Sequence, residues 1–84
     1  MRPILVLDAS AAIGAVRLSS SAAGVLRLCG EASSIMAPSL FASEVANGLW
    51  RYVANGSLQR DEAVEALGEA LDLVDLLVPD RDLV

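Results

Sequence analysis

Eighty-four residues with 55 % hydrophobic side chains make one small domain, apolar enough to bury a core and to argue against disorder. Eleven acids against six arginines and no lysine leave a net charge of −5, so RNA could be met only through a local arginine patch or an acid-held cation. The absence of histidine removes the commonest general base and any His-containing zinc site, and the lone Cys29 cannot close an internal disulfide, which suits a reducing, cytoplasmic setting.

In chain order, residues 4–7 form a continuous apolar run of β-favouring type, the pattern of a strand covered on both faces. Arg2 and the apolar stretch after it have the outline of an export signal, but Asp8 interrupts that stretch. No run is long enough to span a bilayer, so no membrane partner is expected. Residues 11–18 read as a short helix or turn. Ser19, Ser20 and Ser21 then offer caps for a helix over 22–31, with Val25, Leu26, Leu28 and Cys29 as its apolar stripe. In that stripe Cys29 reads as a small buried residue rather than a reactive thiol.

A second strand is predicted over 34–37, because Pro38 has no amide hydrogen with which to extend the ladder. Ser39 is expected to cap a helix over 40–54, with Phe41, Val45, Leu49, Tyr52 and Val53 facing inward. Asn55-Gly56 ends it, since both residues tolerate a left-handed backbone. Ser57 or Gln59 caps the next helix, which runs to about residue 73 and places Asp61 and Glu62 beside the positive end of its dipole. Ala63, Ala66, Leu67, Ala70, Leu71 and Val74 form its inner side. Residues 75–78 read as a third strand, ended by Pro79, and 80–84 as the start of another helix. Strands alternating with helices, without a hairpin signal between them, predict an α/β fold with a parallel sheet; a helix bundle is the competitor, because the strands are short.

The chemistry starts from Asp8, an acid where the first apolar run stops. Burying an unpaired charge is costly, and the carboxyl end of a strand in an open α/β sheet is where ligands collect. Glu44 stands in a second such setting, just after the second predicted strand. The two together suggest a divalent cation acting on phosphate, because Mg2+ takes oxygen ligands and keeps several waters. A histidine base is then unnecessary. Blander roles stay open for each residue: Asp8 or Ser10 as a helix cap, Glu44 as a solvated first-turn acid. Trp50, Arg51 and Tyr52 could stack on RNA, or belong to the core or an interface. Asp61, Glu62, Glu65 and Glu69 read as a solvated acidic face, which Asp72 and Asp75 extend.

Val6-Leu7-Asp8-Ala9-Ser10-Ala11, followed by Ala37-Pro38 and by Glu44-Val45-Ala46-Asn47-Gly48-Leu49-Trp50, resembles the amino-terminal part of a PIN domain. The likeness is greatest to the toxin ribonucleases of VapBC-type toxin–antitoxin pairs, and the order of the later segments fits as well. It implies a single partial PIN-like domain over 1–84, with about three parallel strands and three to four flanking helices. It also implies metal-dependent cleavage of RNA with Mg2+, or Mn2+, held by Asp8 as first acid and Glu44 as second, with Ser10 as the neighbouring hydroxyl. The family's later acids belong to segments beyond Val84 and do not map onto Asp80 or Asp82. In the family's strand order, the first strand would be left at an uncovered edge. That implies aggregation, self-association as a homo-oligomer such as a dimer, or completion by another chain. Three functions follow: a ribonuclease completed by further acids, a silent remnant that binds an antitoxin-like partner or itself, or a plain α/β module. In the second, an arginine from the antitoxin's tail would lie against Asp8 and Glu44.

Overall fold

The computed structural model describes residues 2–17 and 22–79. Among these residues, three strands, β1 (Ile4–Val6), β2 (Ser34–Pro38) and β3 (Leu76–Val78), form a parallel sheet in the order β1-β2-β3. Register is set by Val6 beside Met36 and by Met36 beside Leu76. Parallel neighbours need long crossovers. Helices α1 (Ala9–Val16) and α2 (Ala22–Glu31) link β1 to β2, while α3 (Phe41–Ala54) and α4 (Arg60–Asp72) link β2 to β3. The α/β expectation therefore holds and the helix bundle does not. The expected strand order holds too, with β1 at an edge.

The core lies on one face of the sheet. Leu7, Ile35 and Ala37 are buried there against Phe41, Val45 and Leu49 of α3, at i, i+4 and i+8. Burying each of those larger α3 side chains contributes roughly 1.5–3 kcal/mol. Ala63, Ala66 and Ala70 of α4, with Ala12 and Ala15 of α1, are buried alanines that let the helices approach closely. Tyr52 and Val53, expected to face inward, are only half-buried.

The opposite face is open. Ile4 and Val6 are 64 % and 55 % exposed, and Leu76 in the same face is 52 % exposed. The expectation that β1 is covered on both faces is thus corrected. Its residues alternate between the helix-packed side and a side that no described element covers.

Local chemistry explains most element ends. Asp8, with φ −91° and ψ 164°, caps α1, and Oδ1 accepts from the Ala11 amide at 2.8 Å; the helix therefore starts at Ala9, not residue 11. β2 reaches Pro38, one residue further than expected, because a missing donor costs least at the last strand position. Ser39 does not cap α3. Leu40 holds the cap position without a side-chain bond, and the Ser43 hydroxyl donates to the Leu40 carbonyl at 3.0 Å. Gly56, with φ +84°, turns the chain after α3, as Asn55-Gly56 implied. Gln59 is the cap of α4, and its amide donates to Glu62 Oε1 at 3.0 Å.

Further expectations are adjusted. On α2, Val25 and Cys29 face the core at i and i+4, whereas Leu26 and Leu28 fall off that stripe and are exposed. Leu71 is exposed for the same reason on α4. Asp75 precedes β3 and fastens it: its amide donates to the Ile35 carbonyl, and its Oδ2 accepts from the Ile35 amide, both at 2.7 Å. The first helix ends at Val16 with Arg17 at its cap position, short of the expected residue 18. The serine cluster at 19–21 and the helix expected from residue 80 lie outside the described residues. Among the described residues, no helix is long and apolar enough to cross a membrane.

Candidate functional site

α1 follows β1 and α3 follows β2, so both helices leave the carboxyl ends of adjacent parallel strands. Asp8 caps the first of them and Glu44 lies in the first turn of the second. The two exposed acids line one open cleft of 490 Å³ with Ala9, Ser10, Ile13, Asn47, Gly48 and Arg51. Ser10 is inside the first turn of α1 rather than at its cap. Its hydroxyl donates to Asp8 Oδ1 at 3.0 Å, the same oxygen that receives the Ala11 amide. Both bonds hold the carboxylate in one orientation, and Oδ2 takes neither of them. The capping role of Asp8 and a place at a cleft thus coexist on one carboxylate.

The α3 side of the cleft is one helical stripe: Glu44, Asn47, Gly48 and Arg51 at i, i+3, i+4 and i+7. It runs beside the buried stripe of Phe41, Val45 and Leu49. Packing of the apolar stripe therefore aims the polar one at α1. Sequence reasoning gave Asn47 no separate role and weighed Arg51 only within the Trp50-Arg51-Tyr52 run. The signal was available as their spacing from Glu44, but it gains meaning only with α1 opposite.

The same groove continues along the two helices. Its other half, of 730 Å³, is lined by Ser10, Ile13, Gly14, Arg17, Gly48, Arg51, Tyr52 and Asn55. The Arg17 guanidinium lies 3.8 Å above the centre of the Tyr52 ring, a cation–π contact of about 0.5–2 kcal/mol. Trp50 is separated from this pair. It is 52 % exposed, lies over α4 with Ala46, Leu49, Ala63, Val64 and Leu67, and has Arg60 at 5.4 Å. The Trp50-Arg51-Tyr52 run is therefore not one cluster.

The acidic residues of α4 stand elsewhere. Glu62, Glu65 and Glu69 line a cleft with Arg17 and Leu58, and Glu62 is also engaged at the Gln59 amide. Asp75 belongs to the β2–β3 junction through Ile35 rather than to that acidic face. Among the described residues, no group of three or more His, Cys, Asp or Glu is placed to hold a metal ion. Cys29 is half-buried, and desolvation pushes its thiol pKa above the ordinary 9.0.

The donor set of the cleft is all oxygen: two carboxylates, a hydroxyl and the Asn47 amide oxygen. Such a set fits a hard, water-retaining cation such as Mg2+ or Mn2+ and does not fit a thiolate or imidazole metal site. Asp8 and Glu44 would hold the cation, with Ser10 orienting Asp8. No protein-family model matches the chain, and no curated protein matches it. What fold and cleft define is a small α/β domain with a carboxylate pair at the carboxyl edge of a parallel sheet.

Proposed function

We propose that this chain is a PIN-like, divalent-metal-dependent endoribonuclease of a toxin–antitoxin pair, working in the cytoplasm, with two of its acids on the described residues. The observation that carries the reading is the meeting of Asp8 and Glu44 in one cleft at the ends of adjacent parallel strands. The all-oxygen donors, and the β1-β2-β3 order with β1 at the edge, support it as well. Mg2+ or Mn2+, when bound, supplies Lewis acidity toward a phosphodiester and lowers the pKa of a bound water. The chain's own part is to position. Asp8 is held by the Ala11 amide and by Ser10, so its carboxylate is oriented before any ligand arrives. Glu44 is carried by a helix whose buried stripe fixes its azimuth. Two carboxylates make an incomplete acidic site, whose shell phosphate oxygens and further acids would complete.

The experiment is a melting curve with and without Mg2+ or Mn2+, alongside cleavage of a single-stranded RNA. A cation-dependent rise in Tm that Asp8→Asn abolishes supports the reading. An unchanged Tm across millimolar cation overturns it.

A second reading rests on the same acid-lined cleft and on the exposed apolar residues of the sheet. In it the domain is a silent remnant whose acids receive an arginine of an antitoxin-like protein, and whose open sheet face self-associates. It requires a stable complex with that partner and no nuclease activity in the purified protein.

A further inference from the structure

The groove between α1 and α3 has two ends of opposite charge. Asp8 and Glu44 stand at the amino-terminal ends of the helices; Arg17 and Arg51 stand at the carboxyl-terminal ends. Arg51 lines both halves and so joins them. From Glu44 to Arg51 is seven residues of helix, a rise of about 10 Å. Among the described residues no carboxylate lines the arginine half, in a protein whose net charge is −5. Two of only six arginines are gathered there, with Tyr52 and Asn55 beside them.

Each arginine has an ordinary reason to be where it is. Arg51 is in the last turn of α3, where a cation complements the helix dipole. Arg17 also borders the acidic cleft of α4, with Glu62, Glu65 and Glu69. Neither reason explains why both line one hollow between helices. A guanidinium stacked on an aromatic ring has its plane fixed, and its N–H fork matches phosphate oxygens two at a time. Both arginines border acids, Arg17 those of α4 and Arg51 the Asp8 and Glu44 cleft; Arg51 ranks first because it is exposed and lines both halves of the groove.

We infer that the arginine half of this groove is a phosphate subsite for single-stranded RNA, with Arg51 as its main contact and Arg17, braced on Tyr52, as its second. The inference rests on the ribonuclease reading for the identity of the strand. It then places a flanking phosphate at Arg51 while another lies toward Asp8 and Glu44. It also meets the electrostatic requirement of an acidic RNA-binding chain, which needs a local patch of positive charge.

The test uses the full chain in EDTA, so that cleavage and metal binding play no part. A fluorescent 2′-O-methyl hexauridylate and the matching hexaadenylate are titrated by anisotropy across a range of salt. Arg51→Gln is expected to weaken both oligonucleotides alike and to lower the slope of log affinity against log salt by about 0.7, the value for one lost phosphate contact on a single strand. Arg51→Lys restores part of the affinity. Arg51 is exposed, so the variants keep the fold, which circular dichroism checks.

Wild-type affinity and slope retained in both Arg51→Gln and Arg17→Gln overturn the subsite. So does binding of inorganic phosphate at Arg51, followed by NMR, without binding of either oligonucleotide. The ribonuclease reading is judged apart, by the cation-dependent Tm. Oligonucleotide binding through Arg51 without a cation effect removes the nuclease and keeps the subsite; a cation effect with both arginine variants silent does the reverse.

Discussion

Gly48 of α3 faces Ile13 of α1 so closely that a methyl group added at Gly48 would stand 2.5 Å from Ile13 Cδ1. Both residues line both halves of the groove, so this contact is its waist. A glycine here leaves room for the end of the Ile13 side chain between the two helices that carry Asp8 and Glu44.

Substitution at that waist should separate two sizes of effect. Gly48→Ala gains up to about 1 kcal/mol of helix propensity and loses a comparable amount in moving the flexible end of Ile13, so its Tm should stay close to wild type. Gly48→Val overpacks the contact and should cost about 1–3 kcal/mol in urea unfolding. It should also diminish any cation-induced rise in Tm, since α1 must move away from α3.

Asp8 has a structural and a proposed chemical role, and two variants divide them. Asp8→Ala removes the cap and should cost about 0.5–2 kcal/mol without any metal present. For a domain of this size each kcal/mol corresponds to about 4–8 °C in Tm. Asp8→Asn retains an oxygen for the Ala11 amide, so its metal-free Tm should remain near wild type while the response to Mg2+ or Mn2+ disappears. Equal behaviour of the two variants in EDTA would show that the cap contributes nothing.

Asp75 should prove a stability residue. Its carboxylate accepts from the part-buried Ile35 amide, and Asp75→Ala leaves that donor without its partner, a loss of about 1–3 kcal/mol. Asp75→Asn offers a carbonyl in the same place and should recover much of the loss. Neither variant should alter oligonucleotide affinity, because Asp75 lines neither half of the groove.

The open sheet face predicts concentration-dependent association. Ile4, Val6 and Leu76 present apolar surface beside an edge of β1 that no described strand pairs with. Val6→Thr should lower the associated fraction in light scattering while leaving the melting temperature of the dilute protein nearly unchanged. A wild-type protein that stays monomeric at high concentration would contradict this.

Cys29 should react slowly and make the protein sensitive to alkali. Its folded-state pKa is raised, so just above pH 9.0 the unfolded chain loses a proton that the folded chain keeps. The unfolded state then binds fewer protons, and stability declines as pH rises through that range. Cys29→Ala should flatten that part of the pH profile, and alkylation of the native thiol at neutral pH should be slower than that of a free thiol.

Much of the fold was legible because its signals are local. The apolar run before Asp8, the i, i+4, i+8 spacing of Phe41, Val45 and Leu49, and the Asn55-Gly56 stop each depend on neighbours within a turn or two. The failures share a cause as well. Ser39 looked like a cap, yet the turn after Pro38 places Leu40 at that position. Leu26 and Leu28 looked like core, yet α2 offers only its Val25–Cys29 face to the rest of the protein.

Periodicity and capping are short-range, so the order of residues alone was enough to assign strands and helices and to put Asp8 and Glu44 after two successive strands. That those acids share a cleft, that Arg17 and Arg51 extend it, and that no described element covers one sheet face came from tertiary packing. Those outcomes depend on the pairing of β1 with β2 and on the approach of α1 to α3, contacts between residues some thirty positions apart. The proposed nuclease reading requires that Asp8 and Glu44 hold a divalent cation. Spectroscopy with Mn2+ that detects no ion beside either carboxylate would end the enzymatic interpretation.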